Sequence, residues 1–127
     1  MPSKQRKQPN IFQPLEELLD RLVNDVTNFP KAFKFSIGDK VIQLCLELVS
    51  SVYRINRADS FKDKTAIMDK FDDDLDMLKM LIRFSNEKRF IPIKRQGRTA
   101  IVTEDITNQI SAWRNFLEKR AGNGNNC

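Results

Sequence analysis

Between Phe71 and Lys88 the apolar residues Phe71, Leu75, Leu78 and Ile82 recur at steps of four, three and four. That spacing stacks them on one face of a helix. Leu81 and Phe84 widen the face. A stripe this broad needs a partner surface along its whole length, so the stretch commits the chain to helix-on-helix packing.

The rest of the sequence divides into helical segments of the same kind. The first is expected from about Ile11 to Asn28, with Leu15, Leu18, Leu19, Leu22 and Val26 as its stripe. Pro14 fits in its first turn, where the missing amide hydrogen has no helical partner. Phe29-Pro30-Lys31 ends it, because the residue before a proline is pushed out of the helical region. The second is expected from about Ile37 to Ala58, with Ser36 as N-cap and Asp39 in the first turn. It is apolar around much of its circumference, from Val41 and Ile42 through Val52, Tyr53 and Ile55. One chain of this size does not bury all of that surface, which points to a homo-oligomer. The third runs from Phe61 or Lys62, after Ser60, to Lys88. The fourth is expected from Glu104 to Ala121, capped by Thr103, with Ile106, Ile110, Trp113 and Leu117 on one face. The expected fold is therefore all-α, an antiparallel up-and-down four-helix bundle over residues 11–121. A basic tail precedes it at residues 1–10, and a disordered tail follows at 122–127, where Gly122-Asn-Gly-Asn-Asn stops the helix.

Between the third and fourth helices, Phe90 to Val102 carries Pro92, Gly97 and two short apolar runs. It reads as a small β-hairpin or an irregular loop.

Charge narrows the function. The net charge is +5, and it is unevenly placed. Lys4, Arg6 and Lys7 in the tail face no acid, and Lys88, Arg89, Lys94, Arg95 and Arg98 crowd the loop at 88–102 against Glu87 alone. Arg54 and Arg57, at the end of the second helix, would extend the cluster. Clustered Lys and Arg suit a polyanion, because binding releases counterions from phosphates. These ten residues are the candidate nucleic-acid or partner-binding set.

Catalysis is poorly provided for. The chain has no histidine, which removes the commonest general base and metal ligand. Gly38, Gly97, Gly122 and Gly124 are isolated from one another and make no phosphate loop. Asp69, Asp72, Asp73 and Asp76 sit three and four apart, so two or three of them share a helix face, but they read as a solvated, charge-paired surface rather than a metal site. Cys45, between Leu44 and Leu46, reads as core packing, and Cys127 as incidental. Two cysteines make no disulfide framework, no run is long enough for a membrane span, and the tail has no apolar signal segment. A cytoplasmic setting without cofactor, catalytic residue, metal or membrane partner is expected. Trp113 reads as core, and Tyr53 and Phe84 as core or subunit contacts.

Some of these residues also form a family pattern. Phe29-Pro30-Lys31 followed by Phe35-Ser-Ile-Gly-Asp-Lys-Val41 resembles the first turn and second-helix start of the bacterial "four helix bundle protein" group. Within it, Leu75-Asp-Met-Leu-Lys-Met-Leu-Ile-Arg-Phe84 resembles a helix of the accessory variability determinant (Avd) proteins of diversity-generating retroelements. Arg83 stands at that pattern's arginine and Trp113 at its late tryptophan, preceded by Ser111-Ala112 where the family has two glycines. The resemblance covers about residues 12–118. It implies an up-and-down bundle assembled as a homopentamer, without enzymatic activity, which binds the retroelement reverse transcriptase and the template RNA. A related branch, encoded by intervening sequences in 23S ribosomal RNA genes, shares the fold, and implies the alternative of a structural oligomer with no retroelement role.

Overall fold

A computed structural model of the chain describes residues 10–126, with side chains placed as far as Gly122. Four long helices make up the fold: α1 Phe12–Thr27, α2 Asp39–Arg57, α3 Phe61–Glu87 and α4 Ile93–Asn126. No strand occurs among the described residues. Each helix packs on its sequence neighbours, and α4 closes the ring against α1. Short connections between such neighbours leave only antiparallel pairing. The expected four-helix bundle is what forms.

The core follows from the stripes. Leu15, Leu18, Leu22 and Val26 of α1 meet Val41, Leu44, Cys45, Leu48, Val52 and Ile55 of α2, all buried. From α3 come Met68, Phe71, Leu75, Leu78 and Ile82, and from α4 Val102, Ile106, Ile110 and Trp113. Each large side chain so buried contributes roughly 1.5–3 kcal/mol. Trp113 and Cys45 are core, as the pattern indicates. Burial pushes the Cys45 thiol up to about 12, which leaves it protonated and inert near neutral pH.

Two helix starts differ from expectation. The second helical run begins before Ser36. Pro30 opens a single turn at Lys31–Phe33, a π-helical turn follows at Lys34–Gly38, and α2 continues directly. Ser36 is therefore inside the run, and its hydroxyl donates to the carbonyl of Phe33 at 3.4 Å instead of capping. The wide turn brings Gly38 against α1, where an added Cβ would lie 2.6 Å from Val26 Cγ1. Only glycine allows so close an approach.

The larger difference lies between α3 and α4. Residues 90–102 form neither a hairpin nor a long loop, since α4 begins at Ile93 and the connection is only Lys88 to Pro92. Pro92 stands just ahead of the first turn, a position that costs no hydrogen bond. Thr103 is not a cap but a buried mid-helix residue whose hydroxyl donates to Ala100 O. The helix also continues through Gly122 to Asn126, beyond its expected end, and Cys127 lies outside the described residues.

Gly97 tests this directly. It sits in the exposed face of α4 with open space around a would-be Cβ, and its φ is not positive. Gly97→Ala is expected to raise stability by about 0.5–1 kcal/mol, read as a higher thermal midpoint, because alanine restricts the unfolded chain. In a hairpin turn the same change would destabilise. Gly38→Ala should lower the midpoint through its clash with Val26.

Candidate nucleic-acid interface

The α1–α2 and α3–α4 connections come together at one end of the bundle, joined by an aromatic cluster. Phe90 stacks on Phe33 with ring centres 5.1 Å apart, lies 5.3 Å from Phe29 and meets Phe84 edge-on at 6.4 Å. These contacts bring Lys31 and Lys34, the chain neighbours of Phe33, to the end that also carries Lys88 and Arg89. Lys94 follows in the first turn of α4.

None of these five cations forms an ion pair among the described residues. Lys88 lies 5.7 Å from the centre of the Phe84 ring, a contact that leaves its charge in place. The first turn of α4 contains no acid, so the helix dipole adds to the positive potential around Lys94. Glu87 and Asp39 are the acids nearest in the chain. A cationic end of this kind, unneutralised from within, is what a phosphate backbone requires.

Arg89 holds the turn in an uncommon way. Its φ is 64°, the left-handed region that usually goes to glycine at this position after a helix. The amide of Phe90 donates to Ser85 O at 2.9 Å and that of Arg89 to Asn86 O at 3.0 Å, closing the end of α3. An arginine here carries a local backbone cost of about 1–2 kcal/mol.

The sequence-selected cations separate into groups. Lys88, Arg89 and Lys94 lie at the basic end. Arg95 and Arg98, expected in a mobile loop, instead bind α1. Arg95 Nε donates to Asp25 Oδ1 at 2.5 Å, and Arg98 grips Glu17 in a two-pronged pair at 2.7 and 2.8 Å. Between them Arg21 donates to Thr99 Oγ1 and to Arg95 O, both at 3.2 Å. The hydrogen bond from Arg98 holds the Glu17 carboxyl below its ordinary range. Arg54 and Arg57 do not extend the cluster. They lie at the far end of α2, whose 19 residues span about 28 Å. Lys4, Arg6 and Lys7 lie outside the described residues.

Sequence reasoning missed Lys31 and Lys34. They precede the basic loop by more than fifty positions and stand in a segment read as a helix break. The signal available was the alternation Lys31-Ala-Phe-Lys-Phe35 itself.

The other candidates have structural partners. Arg114 of α4 donates to Asp69 and Asp72 at 3.0 Å each, while Lys70 bridges Glu47 and Asp74. Burial, only partly offset by Arg114, raises the Asp72 carboxyl. Among the described residues no group of three metal-binding side chains forms. Arg83 lines a groove of about 280 Å³ between α3 and α4, with Lys79, Asn86 and Gln96. No described helix is long and apolar enough to cross a membrane.

A family model described as bAvd-like matches residues 10–117. No curated protein matches the chain.

Arg89→Gly is expected to stabilise the fold by about 1 kcal/mol in denaturant titration, since glycine takes the left-handed region without steric cost. An unchanged or lower midpoint would show that the arginine side chain itself holds the turn.

Proposed function

The chain belongs to the bAvd-like family, and we propose that it is the non-enzymatic accessory protein of a diversity-generating retroelement, binding template RNA and the reverse transcriptase. The observation that carries the RNA half is the basic end, where Lys31, Lys34, Lys88, Arg89 and Lys94 converge without internal ion pairs. Phosphate contacts from such residues position RNA without reading its bases. The reverse transcriptase half rests on the family resemblance. A role without catalysis is supported by the lack of histidine and by a buried thiol held at about 12.

RNA affinity is expected to fall with salt along a log–log slope of about −3.5 for a single strand, if all five cations meet phosphates. Each change to glutamine should remove about 0.7 from that slope. Exchanging all five should nearly abolish it, with Arg54→Gln and Arg57→Gln as controls at the other end. A slope untouched by the five changes would place the RNA elsewhere. Arg95 and Arg98 are unsuitable for this test, since their removal would loosen α4 from α1.

The same proposal includes self-assembly as a homopentamer. It is supported by the outward face of α2, where Leu46 and Tyr53 remain 43% and 52% exposed beside half-buried Ile42 and Val49. Light scattering is expected to return the mass of five chains, and Leu46→Glu with Tyr53→Glu to reduce it. A monomer at working concentration would remove this part of the reading.

A further inference from the structure

We propose that Phe35 is a stacking platform for unpaired bases, so that the basic end takes single-stranded rather than duplex RNA. The inference rests on the nucleic-acid reading above and adds what that end recognises.

Phe35 is 72% exposed, the most exposed of the large apolar side chains described, and Phe33 is 41% exposed. Leaving the Phe35 ring in water works against folding, because it forgoes the gain of burial. Its setting differs from that of the apolar residues on the outward face of α2. Lys31 lies four positions, one helical turn, before Phe35 and Lys34 adjoins it in the chain, so two unpaired cations stand next to this ring. An exposed ring beside unpaired cations matches the two parts of a single strand, base and phosphate.

The rings are also mounted on fixed backbone. Phe33 is backed by Phe90, which Phe29 and Phe84 hold in turn. Phe35 stands in the π-helical turn Lys34–Gly38, whose last residue is pressed against Val26. A ring on fixed backbone loses less freedom when a base stacks on it. Every base has a π face, so the platform tolerates any sequence. In an A-form duplex those faces are already stacked within the helix, leaving only phosphate and groove contacts.

The test uses the full chain and fluorescence anisotropy with three probes: an oligouridylate, an abasic strand of equal length and charge, and an RNA duplex. The oligouridylate is expected to bind about tenfold tighter than the abasic strand, the factor that one stacked base supplies. Phe35→Leu should remove that advantage while leaving abasic binding and the salt slope unchanged. Phe35→Trp should restore it. Equal affinity for oligouridylate and abasic strand, or an oligouridylate affinity unaffected by Phe35→Leu, would overturn the inference and leave the phosphate-binding reading standing. If Phe35→Leu instead changes the subunit count, the face is a contact between copies and the inference falls. Absence of binding to all three probes at low salt would remove both readings.

Discussion

The carboxylate of Asp25 has 1% of its side chain exposed and takes Arg95 as its ion partner. The remainder of the α1–α4 seam is arranged around that pair. Glu17, Arg21 and Asp25 follow one another at four-residue steps on α1, and Arg98, Thr99 and Arg95 answer them on α4. A buried carboxylate without a counter-charge costs on the order of 3–5 kcal/mol, more than one packed side chain returns. Asp25 therefore requires an arginine opposite, and α4 must already be helical at Arg95 to supply it. The seam fixes where α4 starts and shortens the preceding connection to five residues, Lys88 to Pro92. The position of the basic end follows from that shortening.

The same seam explains what the sequence conceals. The inward positions of α4 run Arg95, Thr99, Val102, Ile106, Ile110 and Trp113, at helical steps throughout. The apolar stripe is visible from Val102 onward, so the pattern announces a helix only from about Glu104. Its first two inward residues are polar because they face polar residues of α1, and Gly97 on the outside adds a false turn signal. Hydrophobic periodicity finds helices through the oil they bury, and this segment buries charge. The other three helices bury apolar stripes and were legible to within a few residues, apart from the start of α2. There Ser36 imitates a cap while the π-helical turn carries the helix through it.

The candidate surface was legible in part for a related reason. A run of cations is evident in sequence, but whether each is free depends on what lies opposite. Arg95 and Arg98 are consumed by Asp25 and Glu17, residues some seventy to eighty positions away. Lys31 and Lys34 enter the surface only because Phe33 packs on Phe90. Local charge density thus overstated one stretch and missed another, and an aromatic contact between two connections did what adjacency in the chain does not.

Three local costs coincide at the end so assembled. Arg89 occupies backbone space that favours glycine, Lys94 sits in a helix first turn where the dipole opposes a cation, and Phe35 leaves its ring in water. Each has a cheap remedy by single substitution, and the helix-end rule that Lys94 breaks is kept at α2 and α3: Ser60 caps α3 at 3.0 Å and the Lys64 ammonium answers the last turn of α2 at 2.6 Å. Departures from local optimum gather where a surface serves something other than folding. Here all three leave positive charge or an aromatic ring facing outward, and a ligand bearing both phosphate and base would satisfy them together. The polar seam and the basic end are then two uses of the same charge. Where a cation meets a buried carboxylate it fixes the frame, and where it meets none its charge stays open to solvent.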